Sequence, residues 1–588
     1  MRKKCHGCMT LVCATILCLL KPASLPAEEP GPRVPKVGLA LSGGGARGAA
    51  HIGVLKVLER EQIPIDCIAG TSFGALIGGL YALGYTADQI EQIFAHADWG
   101  NLFSDAPERR LAPLAERRNS RYMAQLGFRR YLPELPTGLW NGQKVIEILN
   151  LLTAESLLAA NYDFDRLPVP FRAVATDLLT GKPYVFRQGR MIEALRASVA
   201  IPMLFTPLEK GDMLLVDGGL SNNLPADIAR EMGADIVIAV DATSPLMGKN
   251  EIRSFLDVID QTISLMMRQS LEANLRFADF TIKPDLEGYV YSDYLKTSEI
   301  AARGAQEAER RIGALKPLLA NIPVRPHPSL LKANPVIDSI AFEGLRKVPG
   351  SQLKGEIKSQ PGDKLDGSML REDIRRLYAT RFFDSVDCNP EYTTGNHCQL
   401  KYILKESTFN TVGASIRYDN DYKFVALAEV TARQILHTPS TATLSLQFGG
   451  FVNHMASLRY IPTVLPFLYV EPKVHIRKRE RLDIRDGELI DKYTDKRIGS
   501  QLMIGATFFK RTELEIGYRD DKVTVSGGTL PYRQAGSLRL AGITLRMNRD
   551  TLDAQEFPTA GTLVRLQFDK RSEAMGSDVS YSKAAADI

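Results

Sequence analysis

Two periodicities divide the chain. Between residue 36 and about residue 317, short apolar runs at 37–41, 67–69, 171–175 and 236–241 alternate with stretches of helical spacing such as 52–60 and 75–83. A strand period that repeatedly gives way to a helix period predicts an α/β domain, a mainly parallel sheet with flanking helices. Pro323, Pro326, Pro328 and Pro335 then fall close together, and such a stretch reads as a stiff linker. Beyond it the pattern predicts a strand at 336–342, helices at 351–359 and 368–380, and a hairpin from 383–388 and 399–404, which together make one small α+β domain. After Thr408 the period becomes two. Thr411, Gly413, Ser415 and Arg417 share one face, Val412, Ala414, Ile416 and Tyr418 the other, and similar alternation returns at 442–448, 501–508, 513–518 and 537–546. Such segments between polar turns predict an antiparallel β-barrel of the membrane kind, and residues 408–588 have room for roughly eight to ten strands.

Length agrees with this division, since 588 residues exceed one hydrophobic core. The first 27 residues add a further element: a basic start (Arg2, Lys3, Lys4), an apolar stretch from 9 to 20, a break at Lys21 and Pro22, and small residues ending at Ala27. This predicts a secretory signal peptide cleaved after Ala27. Thr15, Ile16 and Leu17 make a poor approach to Cys18 as a lipidated residue. No apolar run reaches the ~20 residues of a spanning helix, which excludes a helical membrane protein. The expected division is therefore 1–27 signal, 34–320 α/β domain, 321–333 linker, 334–407 α+β domain and 408–588 barrel segment.

Charge removes one class of partner. The net charge is +5, but the four basic residues of the first 27 have no acid among them, which leaves about +1 and no argument for nucleic acid. Of seven cysteines, Cys5, Cys8, Cys13 and Cys18 leave with the signal. Cys67 reads as a small buried hydrophobe. Cys388 and Cys398 flank a polar turn at 393–396, and a disulfide between them is expected in an oxidising compartment. No metal-ligand spacing remains, and neither metal nor organic cofactor is expected.

The chemistry starts at Gly43, Gly44, Gly45, Ala46, Arg47 and Gly48, between the run 37–41 and the helical stretch near Ala49. Glycines there turn the chain tightly and aim free N–H groups at one spot beside a helix N-terminus, where an anion is held. Alone, the loop fits a dinucleotide pyrophosphate, a reaction oxyanion or a plain strand-to-helix turn. The second motif decides between them. Gly70, Thr71, Ser72, Phe73 and Gly74 spell GxSxG between a short strand and an apolar helix, the context of a nucleophile elbow that presents Ser72. A dinucleotide site would want an acidic residue at the end of that strand, whereas Asp66 precedes it.

A nucleophilic serine needs a base. Beyond the signal and up to the end of the linker the candidates are His51, His96 and His327, which sit in a helix start, a surface segment and the linker and read as ordinary packed or solvated histidines. Asp217 is the better base: the run Leu214, Leu215 and Val216 delivers it at a strand end, and Gly218 and Gly219 allow close backbone approach.

The three motifs, with the segment Ala197, Ser198, Val199, Ala200, Ile201 and Pro202, resemble the signatures of the patatin-like phospholipase family, in order, over about 280 residues. The resemblance implies a Ser-Asp dyad without histidine, an oxyanion hole from the 43–48 loop and hydrolysis of acyl lipids, chiefly phospholipids. Arg47 then fits either a contact to a phosphate head group or a solvated helix-start residue. Residues 334–406 resemble a polypeptide-transport-associated (POTRA) domain, and 550–561 resemble a segment of outer-membrane barrels. The whole is similar to patatin-like type V autotransporters. That likeness implies export, an outer-membrane location with the hydrolase in the periplasm or at the surface, and contact with the barrel-assembly machinery. In that family the barrel is larger than residues 408–588 allow, and 584–588 lack the usual terminal aromatic. Completion by further sequence or by a second chain, as in a homodimer, is therefore expected. The rival class is a non-enzymatic assembly or transport protein carrying a patatin-like passenger, and the intact Ser72, Asp217 and glycine loop argue against it.

Overall fold

The computed structural model describes residues 34–588 except 115, 118–121, 130–131, 244, 420–422, 436–437, 439, 463, 466, 486–487, 529–535 and 556. The expected signal peptide lies outside the described residues. Apolar runs form the first sheet: β1 (Val37–Leu41), β2 (Cys67–Thr71), β3 (Phe171–Asp177), β4 (Pro183–Phe186), β5 (Leu208–Lys210), β6 (Met213–Asp217), β7 (Ile236–Val240) and β8 (Phe280–Ile282). Every position of β1, β2 and β3 is buried, because helices cover both faces. Those helices are α1 (Ala50–Arg60), α2 (Phe73–Ala82), α3 (Gln143–Ala159), α4 (Phe255–Leu275) and α5 (Thr297–Leu315). The strand order is β8-β7-β1-β2-β3-β6-β5, with β4 also on β3. Strands β8 to β3 are parallel, while β4 and β6 run antiparallel to β3 and β5 antiparallel to β6. The sheet is thus mixed. The reversal of β6 matters for the site: Thr71 pairs with Val174 and Asp217 with Ala175, so Ser72 and Asp217 end at one level, two strands apart across β3.

The second domain holds β9 (Val336–Glu343), α6 (Gly367–Ala379), β10 (Phe383–Tyr392) and β11 (His397–Glu406), in sheet order β9-β11-β10. The expected helix at 351–359 shrinks to the turn Gly350–Leu353. Gly355 interrupts it, and the N–H groups of Lys358 and Ser359 turn to the buried Asp373 carboxylate instead. The expected disulfide fails on register. Cys388 lies opposite Tyr402 and Cys398 opposite Tyr392, four positions or roughly 13 Å along the ladder, beyond the ~7 Å limit for a bridge. Both thiols are free and buried.

Helix α3 docks on the edge strand β10. The Gln143 amide imitates a neighbouring strand: its Nε2 donates to the Val386 carbonyl and its Oε1 accepts the Val386 N–H, both at 2.9 Å. Asn150 Nδ2 donates to Asp387 at 2.8 Å, and Arg190 pairs with the same carboxylate at 2.9 Å.

The third domain is an antiparallel sheet of ten consecutive strands, from Asn410–Asp419 to Tyr581–Asp587. Its alternation runs apolar outward and polar inward. Val470, Ile504, Ile516, Leu545 and Phe568 form one outward row across five strands, whereas Glu471, His475, Asp495, Glu513, Asp521 and Asp569 are buried on the other face. The sheet grows to twelve strands through a hairpin from the first domain, Ala124–Arg129 with Leu132–Glu134. Gly127, Leu126, Gln125 and Ala124 pair with Thr411, Val412, Gly413 and Ala414, near the start of the first strand. Further contacts join the first domain to this sheet. Arg109 pairs with Asp550 at 2.6 Å, Arg433 with Glu116 at 3.1 Å, and Arg117 donates to the Lys510 carbonyl at 3.0 Å. Residues 433, 510 and 550 all lie at the end of the sheet where residue 410 enters from the second domain.

Candidate active site

Ser72 follows β2 directly and caps α2 with φ 54° and ψ −126°, a conformation that costs a non-glycine residue about 1–3 kcal/mol. The surroundings enforce it. The Ser72 N–H donates to Ser198 Oγ at 2.8 Å, and Ser198 Oγ donates to the Val174 carbonyl at 2.6 Å. Close approach explains the flanking glycines: a methyl group on Gly74 would stand 2.5 Å from the carbonyls of Leu41 and Ser42. Gly70 faces Gly74 and Ala75 in the same way.

Ser72 Oγ donates to Asp217 Oδ2 at 2.6 Å, and the Gly219 N–H donates to Asp217 Oδ1 at 2.8 Å. The Asp217 N–H is tied to the Ala200 carbonyl at 2.9 Å. Segment 197–202 therefore anchors both residues of the pair, a role that sequence reading missed although it noticed the segment. Gly218 packs on Val174, where a methyl group would meet the carbonyl oxygen at 2.2 Å. Asp217 is fully buried, and burial pushes its carboxyl pKa up to about 6, against the pull of the bonds from Ser72 and Gly219. A carboxyl group that titrates near neutrality beside a serine hydroxyl suits proton exchange.

The glycine loop is narrower as a donor set than its sequence implies. The Gly43 N–H is committed to the Asn223 carbonyl at 3.0 Å and the Ala46 N–H to the Tyr291 carbonyl at 2.9 Å. The N–H groups of Gly44 and Gly45 find no partner among the described residues. Gly45 has φ +56°, which glycine alone adopts without strain. Gly48 packs on Phe73. Arg47 is buried, donates to the Gly44 carbonyl at 3.3 Å and lies 3.9 Å from Asp260; it is no solvated helix-start residue.

The histidines lie elsewhere. His51 bonds the Ser42 carbonyl at 2.8 Å, and burial lowers its pKa to about 4, so it stays neutral. His96 bonds Gln92 in its own helix, and His327 stacks on Tyr81. Beside the dyad, Ala200, Ile201, Phe205, Ile263 and Met267 form an apolar cluster joined by Phe103, Trp140 and Tyr291.

Residues 39–230 match the profile of the patatin-like phospholipase family, and residues 335–407 match the POTRA family, described as surface antigen variable number repeat. An NTE family protein of Mycobacterium tuberculosis is 34% identical over 220 residues, 37% of this chain and 52% of that protein. Patatin-like phospholipase domain-containing protein 6 of Homo sapiens is 33% identical over 210 residues, 35% of this chain and 13% of that protein. The chain thus spans about half the length of the mycobacterial relative and less of the human one. Among solved structures, BamA from Haemophilus ducreyi lacking POTRA domains 1–3 is similar with TM-score 0.33 and 17% identity, covering 43% of this chain and 50% of that one. VipD from Legionella pneumophila is similar with TM-score 0.28 and 14% identity, covering 48% and 67%. The first domain is therefore a patatin-like phospholipase domain. The chain as a whole joins it to a POTRA domain and a barrel-like antiparallel sheet.

Proposed function

We propose that the protein is a lipid acyl hydrolase of phospholipase A type, held at an outer membrane by its strand-rich domain. The observation that carries the reading is the 2.6 Å bond from a strained, buried serine to a buried aspartate. Ser72 Oγ attacks the ester carbonyl while Asp217 takes its proton, and an acyl-enzyme forms that water then cleaves. The Gly44 and Gly45 N–H groups receive the oxyanion, each donor being worth about 3 kcal/mol. The apolar cluster around Phe205 and Met267 suits an acyl chain.

The outward apolar row and the inward charged face support insertion of the third domain as a barrel wall. The hydrolase then lies in the periplasm, on the POTRA side. Its contacts with residues 411–414, 433, 510 and 550 all fall at the POTRA end of the sheet. At the other end the strands run on to Arg485 and Ser526, as the surface-exposed ends of such barrels do. The rival reading, a non-enzymatic assembly or transport protein with a patatin-like passenger, is disfavoured by the hydrogen-bonded Ser72–Asp217 pair beside the glycine loop.

The test is hydrolysis by the purified chain in detergent, over phospholipids, lysophospholipids and triacylglycerols. Ser72→Ala and Asp217→Asn should each lower turnover by about ten-thousandfold, with the double variant no worse, because the pair acts as one unit. His51→Ala should keep most turnover per folded molecule. A loss with His51→Ala as large as that with Ser72→Ala would refute the dyad.

A further inference from the structure

The segment between β8 and α5 lies outside the span matched by the phospholipase profile, yet it crosses the glycine loop. Tyr291 in that segment touches the site in three ways. Its carbonyl accepts the Ala46 N–H at 2.9 Å. Its ring lies on Gly45, where a methyl group would stand 2.6–2.7 Å from three ring carbons. Its hydroxyl is buried and interacts with Ser72 and Asp217, but forms no hydrogen bond of full geometry. The residue as a whole is half-buried, so its polar end points inward while part of the ring reaches the surface.

A buried phenol that leans on a nucleophile without a well-formed hydrogen bond can turn its donor to an incoming group. Burial and the nearby Asp217 charge hold the phenol well above its ordinary range, so it stays protonated wherever the dyad works. Another buried unpaired amide, that of Asn223, is wedged against Gly43 and Gly219 instead.

We infer that Tyr291 is a catalytic residue, whose hydroxyl donates a hydrogen bond to the alkoxy oxygen of the departing alcohol. This rests on the hydrolase reading above. In the first step the bond from Ser72 Oγ to the carbonyl carbon forms, the Oγ proton passes to Asp217, and the carbonyl electron pair moves to the oxygen held by Gly44 and Gly45. In the second step that pair returns, the bond from carbon to the alkoxy oxygen breaks, and Asp217 hands its proton to that oxygen. The alkoxy oxygen must therefore come within reach of the Asp217 carboxyl, which the Tyr291 hydroxyl faces. Tyr291 gives up no proton; it holds the charge that builds on the leaving oxygen until the proton arrives.

Tyr291→Phe tests this, because it keeps the ring on Gly45 and the carbonyl on Ala46. The full chain in detergent is assayed with two esters of one acyl chain, a 4-nitrophenyl ester, whose leaving group needs no assistance, and a diacyl phospholipid. For the variant, kcat/KM on the phospholipid should fall about tenfold to a hundredfold, through kcat rather than KM, and on the nitrophenyl ester by less than about threefold. Equal losses on both esters, or no loss on either, would overturn the inference. Phosphonylation of Ser72 by a fluorophosphonate, which expels fluoride, should run at the wild-type rate. Slowing that matches the loss in turnover would assign Tyr291 to shaping the glycine loop and would equally overturn it. A wild-type chain that cleaves neither ester defeats the hydrolase reading itself, a result distinct from any of these.

Discussion

Asp217→Asn should make the hydrolase domain more stable at neutral pH while abolishing its activity. The carboxyl group is fully buried, with its pKa pushed up from 3.8 to about 6. The folded state therefore holds a proton between pH 4 and 6 that the unfolded chain releases. Stability linked to this proton is fully present below about pH 4 and is lost as pH rises through 6. Two pKa units amount to about 3 kcal/mol above pH 7, which asparagine, of the same shape and without charge, does not lose. For a domain of this size that is about 5–10 °C in melting midpoint. The readout is unusually clean, since the two tryptophans of the chain, Trp99 and Trp140, both lie in the hydrolase domain. Tryptophan emission of the detergent-solubilised protein, followed on heating from pH 4.5 to 8.5, should show wild type and Asp217→Asn close together at the acid end and diverging above pH 6. Parallel midpoints over the whole range, or a variant that is less stable at pH 8, would refute the claim that Asp217 is ionised at a cost.

Three further outcomes are expected. The kcat/KM for phospholipid should rise through a single limb near pH 6, since only the ionised Asp217 accepts the Ser72 proton; a profile flat from pH 5 to 8 would contradict this. Ser198→Ala removes the hydroxyl that holds the Ser72 N–H, and kcat should fall about tenfold or more with little change in KM, as read from steady-state rates. Cysteines introduced as Leu126→Cys and Val412→Cys stand opposite each other in the ladder and should cross-link on oxidation in isolated membranes, seen as a mobility shift that reductant reverses; no cross-link would mean that the hairpin does not pair there.

What could be read from the sequence was local. The turn after β2 and the glycine loop are written in adjacent residues, because a strained serine and close backbone contacts demand glycine at fixed offsets. The order of secondary structure in the POTRA domain and the alternation after residue 408 followed from periodicity in the same way. What escaped depends on partners far along the chain. Nothing near Ala46 signals that its N–H will meet the Tyr291 carbonyl, and nothing near Cys388 fixes its register against Tyr402 rather than Cys398. The reversal of β6 was hidden because a strand of five residues looks alike in either direction. The hairpin at 124–134 was missed because its strands are short and bear Gly127 and Pro133, which weaken the strand signal.

That hairpin has a consequence for assembly. Gln125 and Thr411 touch across 286 positions of sequence, so this pairing closes a very large loop and belongs to the late, slow class of contacts. The first strand of the sheet would otherwise present an open row of N–H and C=O groups to any passing chain. The hairpin covers this row from Thr411 to Ala414. Deleting residues 124–134 would thus uncover the edge of the strand-rich domain and leave the Ser72–Asp217 pair in place.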